Sequence, residues 1–265
     1  MKKAVSGFLV CALLGGTAAA HEFFVMPHEA KGYKAGDTVQ LDVLSTHYFT
    51  VGEELEEPAA VNEVYILRNG QKSALLPLEK NADKVWYQAA YTLPDDAPAV
   101  AVGRRVGGFY CLFTDGSYAE GTKAEAAAAQ PGKTLAKARF FEKFSKTYLN
   151  PDPYDAGFSA PLGHTLEILP LDNPAKIKPG SKPRFRVLFK GQPLAHADVS
   201  ATYDYYDYKT ANAYAQTGKT DAKGDVSFKI DHRGLWLVRA SDTRKSAHPD
   251  TDEDNNAAIV VFTVK

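Results

Sequence analysis

Short runs that alternate apolar and polar residues, separated by turn formers, recur across residues 39–264 and restrict the chain to folds built from small antiparallel strands. Val39, Leu41 and Val43 alternate with Thr38, Gln40 and Asp42, as in a strand with one buried face. Residues 61–67 read as another strand, and Asn69-Gly70 after them is a tight-turn signal. Residues 84–92, 100–102 and 108–113 follow, broken by Pro94, Pro98 and Gly107. Beyond a Pro-rich loop at 151–161 the runs become regular, at 166–169, 185–189, 199–203, 226–230, 235–240 and 259–264. Turn formers at 190–193 and 220–225 separate them. This spacing predicts a mostly β chain of two antiparallel β-sandwich domains, residues 21–160 and 161–265. One stretch, 121–149, reads differently. Residues 124–129 favour helix, and after Pro131-Gly132 the aromatics Phe140, Phe141, Phe144 and Tyr148 recur near a helical period, which predicts a helix there as well.

Residues 1–20 stand outside that pattern. Lys2 and Lys3 precede an almost wholly apolar or small run at 4–16, and Ala18-Ala19-Ala20 supplies the small residues that a signal peptidase needs. The run is shorter than the ~20 residues of a bilayer-spanning helix. A cleaved signal peptide is therefore expected, cut between Ala20 and His21. The mature chain is then periplasmic or secreted, with no direct membrane insertion. Val10 is too bulky to precede a lipidated Cys11. Cleavage leaves Cys111 as the single cysteine, which excludes an internal disulfide. Its setting, Phe109-Tyr110-Cys111-Leu112-Phe113, predicts a buried strand thiol. With 31 Lys+Arg against 32 Asp+Glu the chain is not a strongly basic nucleic-acid binder, and no nucleic-acid partner is expected.

Cleavage before His21 would make that histidine the first residue. Its free α-amine and its imidazole Nδ1 can then close a six-membered chelate on one metal ion. Both groups shed protons readily near neutral pH when a metal competes. Nitrogen donors suit nickel, cobalt, copper and zinc dications and do not suit calcium. The run at 23–25 is positioned to pair with the strand at 39–45, which would bring His47 near His21. His28, after Pro27 in a turn, is a further candidate ligand, and Glu22 is a candidate outer-shell carboxylate. Met26 alone remains after cleavage, so a Met-rich copper(I) site is not supported. By spacing alone His164 and His196 read as ordinary polar or core histidines, and His232 as a turn residue. His248 opens an acidic loop at 248–254 that lacks the EF-hand pattern. Alternating aromatics at Tyr203, Tyr205, Tyr206 and Tyr208 read as a sugar-stacking strip or an amphipathic strand edge. No G-x-S-x-G, H-E-x-x-H, paired-cysteine zinc motif or phosphate loop is present, and no catalytic residue is assigned.

His21-Glu22-Phe23-Phe24-Val25-Met26-Pro27, directly after the signal-like segment, resembles the opening of a family of secreted bacterial proteins. That family has been catalogued as a domain of unknown function and is linked to nickel and cobalt uptake. Gly36-Asp37-Thr38-Val39 followed by His47-Tyr48-Phe49-Thr50-Val51-Gly52-Glu53 is similar to its second segment. The run from Pro161 through Gly163-His164 to Pro170 is similar to its mid-chain signature. Two C-terminal runs, 191–199 and 234–240, resemble its last part and also transthyretin-like or carboxypeptidase-regulatory-like sandwich modules. The resemblance implies a periplasmic protein that binds nickel or cobalt, while the nitrogen donors would also take copper or zinc. It also implies a membrane metal transporter of the energy-coupling-factor type as partner. Carried over by position, it makes His21 and His47 ligands and places His164 on a motif position.

The leading expectation is thus a non-enzymatic metal-binding protein. A carbohydrate- or protein-binding adhesion module using residues 203–208 is the alternative from another class. A third reading is a copper histidine-brace protein doing oxidative chemistry.

Overall fold

The computed structural model describes residues 21–55, 62–151 and 160–265. The first ten strands in chain order are β1 (Glu22–Pro27), β2 (Thr38–Thr46), β3 (Asn62–Arg68), β4 (Gln71–Lys72), β5 (Glu79–Asn81), β6 (Trp86–Thr92), β7 (Ala99–Phe113), β8 (Tyr118–Glu120), β9 (Leu135–Leu149) and β10 (Leu166–Pro170). They are followed by β11 (Arg184–Phe189), β12 (Gln192–Pro193), β13 (Asp198–Tyr203), β14 (Gln216–Lys219), β15 (Asp225–Ser227), β16 (Gly234–Lys245) and β17 (Glu253–Val264). The molecule is mostly β, in antiparallel sheets stacked as a sandwich-like body. Among the described residues no helix is long and apolar enough to cross a membrane.

The strands form three sheets. The first runs β1-β2-β6-β5, and the second runs β10-β11-β12 with β15 on the other side of β11. The third and largest runs β14-β13-β16-β17-β9-β7-β3-β4 with β8 added to β7. It draws strands from both sides of residue 160, and β9 and β17 meet in parallel where every other recorded strand pair is antiparallel. Alternate residues of a strand face opposite sides of its sheet. Val100 and Val102 of β7, with Val260 and Phe262 of β17, pack against Leu166, Ile168, Phe185 and Val187 of the second sheet. Ala99 and Ala101 of β7, with Val64 and Ile66 of β3, pack against Phe23, Val25, Leu41 and Val43 of the first sheet. The two cores therefore lie on opposite faces of the large sheet, which is covered from both sides.

This layering explains where the sequence pattern misleads. The predicted helix exists only in its first part, α1 (Lys123–Ala129), where Thr122 and Glu125 form a reciprocal capping box. Residues 135–149 are instead the strand β9. Covered on both faces, its residues 143–149 are all buried, so no two-residue alternation survives to mark it as a strand. The break expected at Gly107 is a register shift between Arg105 and Gly108 inside one long strand, β7. Gly103 on β7 has a packing reason: a Cβ there would lie 2.5 Å from Val25 Cγ2, so only glycine lets β1 settle on this strand. Cys111 is buried in β7, with its thiol near the Gly121 carbonyl, as expected.

The edge strand β1 is held by more than its ladder. Val25 N–H donates to Ser145 Oγ at 3.0 Å, and the Thr147 hydroxyl donates to the Val25 carbonyl. Both partners lie on β9, so the first sheet is pinned where its N-terminal strand crosses the large one.

Candidate metal centre

β1 and β2 pair antiparallel from Glu22↔Thr46 to Pro27↔Leu41, the pairing that the apolar runs predict. Extending that register by one residue sets His21 opposite His47. Their rings lie 4.0 Å apart between centroids and are tilted by 39°. Past His47 the chain reverses at Thr50, which has a positive φ, through the bridge Tyr48↔Val51. A second bridge, Ser45↔Glu54, brings Glu53 and Glu54 back beside the rings. Gly52 makes this return possible. A Cβ there would sit 2.1 Å from the Lys84 carbonyl oxygen and 2.6 Å from that of Val85.

Glu53 Oε2 accepts the His47 backbone N–H at 2.8 Å and lies 2.9 Å from His47 Nδ1 and 3.7 Å from His21 Nε2. Glu54 Oε2 lies 3.1 Å from His21 Nδ1. His21, His47 and Glu53 each offer one ligand atom, and these atoms all lie within 4.8 Å of one another. Tetrahedral donors at ~2.1 Å from a common ion stand roughly 3.4 Å apart. Rotamer changes of about an ångström would thus close the set around a dication.

The electrostatics suit that use. Burial above all, then His47, Lys143 and Arg105, lower His21 to about 4 against the opposing pull of Glu53. Its imidazole is therefore neutral at neutral pH, the form that ligates a metal. Burial pushes Glu53 up, but the hydrogen bonds from the His47 backbone and ring outweigh it and leave the carboxyl below its ordinary value. Beneath the pair, the buried Lys143 donates to the His21 carbonyl. Burial and the nearby Arg105 lower this lysine to about 8. Glu22 is buried, ion-paired to Arg239, and accepts the Tyr214 hydroxyl at 2.8 Å.

His28 and His164 lie away from this cluster. His28 sits past the far end of β1, where its Nδ1 is 2.8 Å from Asp42 Oδ2. His164 stacks on Phe144 at 4.5 Å, near Lys146 and Glu167, and its buried Nδ1 has no hydrogen-bond partner. Glu53 and Glu54 were not singled out as ligands by sequence reasoning. The available signal was Gly52 directly before them, a residue that marks close backbone approach.

The class defined by these features is a mostly β protein of stacked sheets carrying a His–His–Glu cluster at the end of its first strand pair. The chain belongs to the family described as Domain of unknown function (DUF4198), whose model matches residues 18–244. No curated protein matches it. Solved structures similar to it include the D0-D1 domain of intimin, at 13% identity, covering 93% of this chain and 100% of that one with a TM-score of 0.21. A marsupial T cell receptor matches at 9% identity, covering 91% and 73%, with a TM-score of 0.25. The pilus 2b backbone protein of group B streptococcus matches at 10% identity, covering 91% and 98%, with a TM-score of 0.16.

Proposed function

We propose that this protein is a periplasmic transition-metal binding protein that assists uptake of nickel or cobalt. The single observation that carries the reading is the convergence of His21, His47 and Glu53, with ligand atoms within 4.8 Å of one another. Removal of residues 1–20 as a signal peptide adds a fourth donor, the α-amine of His21. The resemblance of the opening segment to secreted nickel- and cobalt-linked proteins supports delivery to a membrane metal transporter.

Isothermal titration of the chain beginning at His21 with Ni(II), Co(II), Cu(II) and Zn(II) tests this. Micromolar or tighter binding is expected, with copper tightest in isolation whatever ion is carried in the cell. A chain extended by one methionine blocks the amine and should bind more weakly. Absence of binding to the form starting at His21 ends the reading.

The amine and two imidazoles are also the donors of a copper histidine brace. Reductant- and copper-dependent oxygen consumption by the mature form would favour that oxidative reading over transport. The adhesion alternative draws on Tyr205, which is 81% exposed beside the exposed Tyr206 and Tyr208. Glycan binding that survives EDTA and is lost in Tyr205→Ala would favour it.

A further inference from the structure

The loop between β13 and β14, residues 204–215, reaches both segments that carry the histidines. Asn212 N–H donates to the His47 carbonyl at 2.8 Å. The Tyr208 hydroxyl lies 2.9 Å from Thr50 Oγ1, on the turn after His47. The Tyr214 hydroxyl donates to Glu22 Oε1, one residue after His21. Three bonds from one loop thus bear on the separation of His21 and His47.

That loop also lines a partly open pocket of ~20 Å³, whose polar lining is Glu22, Thr46, His47, Thr202, Asn212 and Tyr214. This is room for one water molecule. Two of the lining side chains keep a buried acceptor without a partner, Glu22 Oε2 and Asn212 Oδ1. Glu22 is 6% exposed, so bulk water does not satisfy it. A buried acceptor left alone costs about 1–3 kcal/mol, and more when charged. Both orphans are acceptors, so the occupant must be a donor twice over. A monovalent cation is disfavoured, because Arg239 already neutralises Glu22 and the Lys143 ammonium adds positive charge nearby.

We propose that this cavity binds one water molecule, donating to Glu22 Oε2 and Asn212 Oδ1, and that Glu22, Asn212 and Tyr214 are positioning residues holding the His47 segment at the spacing a metal requires. The water stands on the cavity and its two orphaned acceptors alone; the positioning role rests on the metal-binding reading above. The arrangement follows the general rule that groups behind the ligands orient them and tune affinity.

The test has two arms. A crystal structure of the metal-free chain at near-atomic resolution should show a single peak within hydrogen-bond distance of both acceptors. A rubidium soak should leave no anomalous signal there. An empty cavity, or a rubidium peak, overturns the water. In the second arm, Asn212→Ala and Tyr214→Phe keep the backbone bond to His47 and avoid stranding Arg239, as Glu22→Gln would risk. Each should bind Ni(II) about 10-fold more weakly and shift the d–d absorption of the Cu(II) form, with the fold retained by circular dichroism and a modest drop in urea midpoint, since each variant removes a buried hydrogen-bonding group. Unchanged affinity and spectrum in both variants overturn the positioning role. If the wild-type chain binds no metal, the metal-binding reading fails and takes the positioning role with it, while the density still decides the water.

Discussion

Two half-buried histidines each lie against a buried lysine of β9, and the two pairs have opposite fates. Lys143 and Lys146 are three residues apart on one strand, so they face opposite sides of the large sheet. Lys143 lies beneath His21, and Lys146 beside His164. Each histidine is lowered to about 4, with burial as the leading cause. Their carboxylates differ. Glu167 is 1% exposed and holds three donors, the Lys146 ammonium and the N–H groups of Leu162 and Gly163. It is shut off from solvent and already balanced by an ammonium, and the His164 ring packs flat on Phe144. Glu53 and Glu54 have side chains 36% and 47% exposed, and they converge on ring nitrogens. The same residue types make a closed structural pair on one face and an open donor set on the other. What separates the two is whether the carboxylate is buried against an ammonium or left half-open beside ring nitrogens.

The strongest way to break this contrast is Lys146→Met. It strands a buried carboxylate, and breaking such a pair costs about 3–5 kcal/mol. Urea denaturation should show that loss while nickel affinity stays unchanged. A cost below about 1 kcal/mol would mean the pair is not closed.

His164 supplies a pH signature. In the unfolded chain its imidazole protonates near 6.5, in the native protein only near 4. Between those values the unfolded state binds more protons, so stability rises with pH and is lost as pH falls through the window. The loss approaches roughly 3 kcal/mol at the acid end. His164→Phe should remove it from the stability difference between variant and wild type, measured by denaturation from pH 7 to 4. His21 titrates alike in both proteins and cancels.

On the open face, His47→Ala should weaken Ni(II) binding at least ~100-fold, equivalent to about 2.7 kcal/mol. Its urea midpoint should barely move, because His47 lies at a strand end. Smaller still is Gly52→Ala. Its Cβ must push the loop off the Lys84 carbonyl, swinging Glu53 away from the imidazoles. About a 10-fold loss of affinity is expected by titration. Unaltered binding would show that Glu53 is not held by this turn.

Much of this was legible in the chain. The alternation at Val39, Leu41 and Val43 led to the β1–β2 pairing, and from there to His47 opposite His21. The strand β9 was not legible. Its aromatics mimic a helical period, and burial on both faces erases the alternation that would have contradicted them. Nor were Glu53 and Glu54. They lie after an irregular turn, where no periodicity operates, and their placement depends on backbone from residues 84–85 pressing on Gly52. Glu22 was read as a carboxylate beside the metal. Its engagement with Arg239 of β16 and Tyr214 of the loop before β14 joins segments far apart in sequence, and no local pattern encodes that.

The parallel seam between β9 and β17 sets the order in which the molecule can assemble. Arg139 pairs with Glu253 and Thr147 with Val261, so the middle of the large sheet waits for chain more than a hundred residues downstream. Non-local closure of this kind slows folding toward the millisecond-to-second range. Until it happens, Leu237 and Ile259 cannot support Phe24 and Leu44. The short-range β1–β2 ladder can set His21 opposite His47 without that seam, so the pair's register and the apolar floor beneath it come from contacts of very different sequence separation.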